Sequence, residues 1–252
     1  MTKVIHGDCI KEMASIEENS IDLVVTSPPY NVGLDYDEYN DDLDIKEYSD
    51  FIEVVFSRID KIMKDTGRVC INHSLKNDGG IIDLPSLIKK KALDIGWDQR
   101  FEIIWDKGQS ESSSAWGSWR SPSSPRPIFN HEYILIFDVS DKKRNSETVI
   151  SKNEFMDLVK SVWKVKPKTN SEHPAAFPVE IPERLIKLNS YKGDTVLDPF
   201  SGSGSTLVAC EKLNRKGVGI EMSKKYISLT KQRLLSVDDG KEKNNKNSVF
   251  SY

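Results

Sequence analysis

The sequence predicts an α/β protein built on a doubly wound, mostly parallel sheet. Short apolar runs with strand character alternate with longer segments of helical period along most of the chain. Several of the strand-like runs stop abruptly at glycines, prolines or acids, as strands do when they run into loops at one edge of a parallel sheet. The length of 252 residues suits one large domain with modest insertions.

Lys3–His6 is the first strand, followed by Gly7-Asp8 and a helix over Ile10–Ile16. Ile21–Val25 is an apolar run bounded by polar residues, so it reads as a buried strand. It stops at Thr26-Ser27-Pro28-Pro29-Tyr30, because the prolines lack an N–H and fix φ. Asn31–Asp44 is acidic and reads as a loop. Ile45–Lys64 carries Phe51, Val54, Val55, Ile59, Ile62 and Met63 at helical spacing, with Thr66-Gly67 as its stop. Arg68–Ile71 is a strand, Asp83–Gly96 a helix with Pro85 in its first turn, and Phe101–Trp105 a strand. Lys107–Asn130 is a long Ser/Pro-rich loop, and Glu132–Asp138 a strong strand. Val139–Lys168 is a basic, weakly patterned insertion. The rest alternates again: helix Pro178–Ser190, strand Thr195–Leu197, helix Thr206–Leu213, strand Gly217–Ile220, helix Lys224–Leu235. Residues 1–235 therefore form one domain with inserted segments at 107–130 and 139–168, and 236–252 a flexible polar tail.

Hydrophobic residues make up 37% and charged residues 30% of the chain, and no run reaches the roughly 18 apolar residues that cross a membrane. The N-terminus lacks the core of a signal peptide. Cys9, Cys70 and Cys210 are too scattered for a disulfide framework or a metal site, which favours a reducing, cytoplasmic setting. The net charge of −3 speaks mildly against nucleic acid. Its distribution does not: residues 31–60 hold ten acids and two bases, and residues 106–168 eleven bases and eight acids.

Two segments carry chemistry. The stiff shelf Ser27-Pro28-Pro29-Tyr30 leaves carbonyls free to accept hydrogen bonds and adds a flat ring, which are the parts needed to hold an amino-substituted heterocycle. Asp198-Pro199-Phe200-Ser201-Gly202-Ser203-Gly204 is a glycine-rich strand-to-helix turn without the spacing of a dinucleotide or phosphate loop. Glu221 ends the next strand, where a carboxylate can grip a ribose diol. A ligand with adenosine and no required phosphate fits, and S-adenosylmethionine is such a ligand.

Together, and in this order, the two motifs resemble the amino-directed DNA methyltransferases of the beta class, in which the target-amino motif precedes the cofactor motif by circular permutation. His173-Pro174-Ala175-Ala176-Phe177-Pro178 resembles the family's lead-in to the cofactor motif, and the likeness spans about residues 3 to 235. The resemblance implies a Rossmann-like S-adenosylmethionine-dependent fold. It implies that Asp198, Pro199, Phe200, Ser201, Gly202, Ser203 and Gly204 wrap the methionine part of the cofactor, that Glu221 holds its ribose and Asp8 its adenine, and that His173 and Phe177 line its far side. Ser27, Pro28, Pro29 and Tyr30 would hold a flipped base. Double-stranded DNA is the implied partner. The resemblance also allows a separate cognate restriction endonuclease and a homodimer.

With Ser27 in front of Pro-Pro-Tyr, the resemblance implies the N4 amino group of cytosine as target, with the N6 amino group of adenine as the alternative. Methylation at ring carbon is disfavoured, because none of the cysteines follows a proline. A catalytically dead binding module and an RNA or protein-glutamine methyltransferase are the readings from other classes. DNA contacts are expected from Trp116, Trp119, Arg120 and Arg126 in the long loop, and from Lys142, Lys143 and Arg144 in the insertion.

Overall fold

A computed structural model describes residues 2–31, 33, 41–77, 81–108, 129–146, 150–167 and 177–249. In chain order the elements are β1 (Lys3–His6), α1 (Cys9–Met13), β2 (Ile21–Thr26), α2 (Ile45–Ile62), β3 (Met63–His73), β4 (Lys76–Asn77), β5 (Ile81–Ile82), α3 (Leu84–Asp94), β6 (Asp98–Asp106), β7 (His131–Asp138), α4 (Lys152–Leu158), β8 (Val162–Lys164), α5 (Glu180–Asn189), β9 (Thr195–Asp198), α6 (Ser205–Lys212), β10 (Lys216–Glu221) and α7 (Lys224–Val249).

The main sheet has the order β1-β10-β9-β2-β3-β7-β6-β8. β1, β10, β9, β2 and β3 are parallel; β7 runs antiparallel to β3 and β6, and β8 parallel to β6. Every residue of β2 is buried, because helices cover both faces of the sheet. Its side chains alternate accordingly. Val24 packs with α1, α2 and α3 on one face, while Leu23 and Val25 pack with α5 and α6 on the other. The parallel strands end at one edge, and the loops that follow β1, β2, β9 and β10 meet there.

α2 begins at a capping box formed by Asp44 and Glu47. Its buried face is Tyr48, Ile52, Val55, Phe56, Ile59 and Ile62; Val54, expected on that face, points to solvent. The helix stops at Ile62, and the chain enters β3 at once, so that strand starts five residues before the expected Arg68. The region expected to be weakly patterned holds α4 and β8. Trp163 is the reason: its ring is buried, its Nε1–H donates to the Leu158 carbonyl at 3.1 Å, and Arg184 lies over it at 5.4 Å. The last helix does not end at Leu235 but continues to Val249.

Candidate active site

A cleft opens at the carboxyl edge of the parallel strands, walled by the loops after β1, β9 and β10 and by the shelf after β2. The residues expected to hold a cofactor meet there. Asp8, Asp198, Pro199, Phe200, Ser201, Gly202, Ser203, Glu221 and Phe177 all line it. Gly204 does not. It caps α6 with φ +78°, and a Cβ there would sit 2.5 Å from Thr230 Cγ2, so its task is to seat the loop against α7. His173 lies outside the described residues.

Backbone groups hold this half in shape. Glu221 accepts from the N–H of Gly202 and from that of Ser223, each at 2.8 Å, which ties the glycine-rich loop to the end of β10. A carboxylate offers about four acceptor positions, so the same group can take further donors from a ligand. Asp8 caps α1 through the Lys11 N–H at 3.1 Å. Arg233 of α7, unforeseen in the sequence, reaches the Ser203 carbonyl and hydroxyl and the Ser205 hydroxyl; burial lowers its pKa. Asp198 is fully buried, and burial above all pushes its pKa up to about 6, against hydrogen bonds from Thr206, Thr26 and the Phe200 N–H that favour the charged form.

The Thr26 hydroxyl donates to Asp198 at 2.7 Å, so the shelf strand and the cofactor loop are fastened together. Ser27 and Pro29 line the same cleft; Pro28 and Tyr30 do not. The Ser27 hydroxyl donates to the Asn72 carbonyl at 3.1 Å. Tyr48 of α2 donates to the Pro29 carbonyl at 2.9 Å and lies 2.8 Å from His73 Nε2. His73 is buried, which lowers its pKa, and its ring lies 4.9 Å from that of Tyr30. Asn31, in the left-handed region at φ 53°, pairs its side-chain amide with both backbone groups of Leu43. The shelf is thus braced by side chains from α2 and β3 and by the chain just before α2.

Family comparison agrees with this geometry. The N6/N4 DNA methylase family matches residues 21–232. The chain belongs to that family. It is 31% identical to the type II methyltransferase M.HpaI of Haemophilus parainfluenzae, over 94% of this chain and 76% of that protein. The type II beta methyltransferase M.BslI of a Bacillus strain is 28% identical, over 92% of this chain and 27% of that longer protein. Among solved structures, a DNA modification methylase of Thermus thermophilus in complex with S-adenosyl-L-methionine superimposes with a TM-score of 0.75 at 27% identity, over 94% of this chain and 96% of that one. The cytosine-N4-specific PvuII DNA methyltransferase shares the fold, with a TM-score of 0.75 at 19% identity, over 94% of this chain and 90% of that one.

For a DNA methylase the cleft has a fitting composition. Three carboxylates, Asp8, Asp198 and Glu221, line it, and no described Lys, Arg or His does. Phe51, Phe177, Phe200 and Tyr226 supply apolar ring surface. A ligand with positive charge, a planar ring and no phosphate suits such walls. Phe51 and Tyr226 stand out in the sequence only as helix residues; Phe51 of α2 meets Phe200 of the loop after β9 at 6.0 Å between ring centroids, a contact between segments far apart in the chain. Burial raises the pKa of all three thiols, to about 12 for Cys9 and Cys70, which disfavours the thiolate that a nucleophile needs.

Lys142, Lys143 and Arg144 follow β7 at the opposite end of the sheet from the shelf, where β2 begins. Lys142 pairs there with Asp65, and Arg144 with Asp22 and Asp194. Lys142 and Arg144 thus face acids at the amino edge of the strands, away from the cleft. Trp116, Trp119, Arg120 and Arg126 lie outside the described residues. The two ends of their segment meet at the shelf end of the sheet, where the Lys107 N–H donates to the Asn130 carbonyl at 2.8 Å. Among the described residues no helix is long and apolar enough to cross a membrane.

Proposed function

We propose that this protein transfers a methyl group from S-adenosylmethionine to the N4 amino group of a cytosine flipped out of double-stranded DNA. The observation that carries the reading is that Ser27 and Pro29 wall the same cleft as Asp198 and Glu221. S-adenosylmethionine, when bound, supplies an electrophilic methyl group. Asp198 and its loop hold the charged methionine end, Glu221 the ribose and Asp8 the adenine.

The remaining chemistry belongs to the shelf. An exocyclic amine is a poor nucleophile because its lone pair is delocalised into the ring. Acceptors aimed at both N–H bonds favour a pyramidal nitrogen and stabilise the positive charge that develops on it. Ser27 is set up for this: its own proton goes to the Asn72 carbonyl, so toward a ligand its oxygen presents lone pairs. The Pro28 carbonyl is the second acceptor, since that of Pro29 is engaged by Tyr48. Tyr30 stacks on the base. No strong base is needed, because the methylated ammonium is acidic enough to lose its proton to water.

Trp116, Trp119, Arg120 and Arg126 contact DNA, and the position of Lys107 and Asn130 supports this. The type II names of the relatives support a cognate restriction endonuclease acting separately. A homodimer is compatible with the same chemistry, because one chain supplies both the shelf and the cofactor loop. Adenine N6 is the second reading, because cytosine and adenine present the same N–C–NH₂ edge. Unmodified genomic DNA treated with the protein, digested to nucleosides and resolved by mass spectrometry, distinguishes them. N4-methylcytosine is the expected product; N6-methyladenine alone overturns the choice of base.

A further inference from the structure

The ring of Tyr30 is held by a buried carboxylate that belongs to neither sequence motif. Glu132, the second residue of β7, is 3% exposed. Its Oε2 accepts from the Tyr30 hydroxyl at 2.8 Å and from Asn72 Nδ2 at 2.5 Å. The Tyr30 hydroxyl in turn accepts from the same Asn72 nitrogen at 2.7 Å. Its Oε1 is ion-paired with Lys107, whose ammonium also lies 5.1 Å above the Trp105 ring. The shelf, β3, β7 and the end of β6 thus converge on one carboxylate.

Stacking alone does not require this. A phenylalanine presents the same face, and a buried hydroxyl is unfavourable unless it finds a partner. Here the partner is a buried carboxylate whose other oxygen meets a partly exposed lysine, an arrangement that is favourable only while every member is satisfied. What it achieves is geometric. The hydroxyl, fixed as donor to Glu132 and acceptor from Asn72, anchors the tip of the ring, and the His73 ring packs beside it. A ring held so is oriented before any base arrives.

We infer that Glu132 is a positioning residue for methyl transfer, acting through the Tyr30 hydroxyl. The inference rests on the reading of Tyr30 as the stacking partner of the flipped base. Lys107 is the first residue of the 107–130 segment, so the clamp and the root of that segment share one ion pair.

A double-mutant cycle tests this on the full chain, with tritium transfer from S-adenosylmethionine to unmodified genomic DNA as the rate and titration calorimetry as the cofactor affinity. Tyr30→Phe and Glu132→Gln should each lower kcat by about tenfold or more and leave cofactor affinity within about twofold. The double variant should be no slower than the slower single variant, because both changes break one chain of hydrogen bonds. Glu132→Asp keeps the charge for Lys107 but withdraws it from Tyr30. It should slow the unaltered protein and have no further effect in the Tyr30→Phe background, and it serves equally if Glu132→Gln does not fold. Losses that multiply in the double variant, or an aspartate variant as fast as the unaltered protein, would overturn the inference. Absence of transfer by the unaltered chain overturns the methyltransferase reading itself, and this inference with it.

Discussion

The cofactor loop and the base shelf face one cleft but are built by different means. The loop from Asp198 to Gly204 is shaped by backbone. Left-handed glycines turn it and backbone N–H groups of Gly202 and Ser223 bind Glu221, with Thr26 and Arg233 as added side-chain braces. The shelf is shaped by side chains from elsewhere: Tyr48 from α2, Asn72 and His73 from β3, Glu132 from β7. A backbone-built site is sensitive to substitutions within its own motif. A side-chain-built site can be damaged from distant positions while its motif stays intact.

The largest effect that would test this contrast belongs to Gly204. Gly204→Val combines a positive φ with a clash against Thr230, and should destabilise the protein by about 4 kcal/mol and abolish cofactor binding. Chemical denaturation and calorimetry would measure both. A variant that binds cofactor normally would show that the loop does not depend on its backbone conformation.

Next comes the pH dependence of Asp198. Its folded pKa of about 6 lies above the usual value of 3.8, so the stability it contributes is present below about 3.8 and lost as pH rises through about 6. A difference of this size corresponds to about 3 kcal/mol. Cofactor affinity should move the opposite way, rising through the same window, because a cationic ligand prefers the ionised carboxylate. Asp198→Asn should flatten both profiles. Thermal midpoints and dissociation constants measured from about pH 4.5 to about 7.5 would check the signs.

Tyr48→Phe is a smaller perturbation of the other half. It removes the donor to the Pro29 carbonyl and the hydroxyl beside His73 Nε2 in a buried place, which costs about 2 kcal/mol. It should reduce kcat and leave cofactor affinity unchanged; a change confined to affinity would erase the distinction between the two halves. The smallest effect is expected at the far end of the sheet. Lys142→Ala removes an exposed pair with Asp65 and should measurably alter neither stability nor DNA affinity nor its salt dependence.

The same contrast explains what can be read from sequence. Elements with strong periodicity or caps are legible: β1 and α3 with its Asp83 cap, β7, and the turn after β9. The face of α2 is misleading at Val54, because a helix rich in apolar residues does not declare which stripe is buried. β8 is hidden because three residues, Val162–Lys164, carry no period; only the burial of Trp163 reveals it. The acids that fold against Lys142 and Arg144 are likewise not visible in sequence, which shows only the run of bases. In the site, the glycine-rich loop and Glu221 are visible as a contiguous motif with one partner about twenty residues on. Asn72, His73 and Glu132 are invisible for the reason that Tyr30 is well held: their pairing is made by the antiparallel register of β3 and β7, which no local pattern records.

The most direct measurement is made on Ser27→Ala, with cofactor affinity and methyl transfer determined on the same preparation. Removal of one acceptor from the shelf should leave the S-adenosylmethionine dissociation constant within about twofold and reduce transfer to DNA by about a hundredfold or more. Transfer at the unaltered rate, or loss of cofactor binding together with transfer, would contradict the assignment of Ser27 to the base and of the loop to the cofactor.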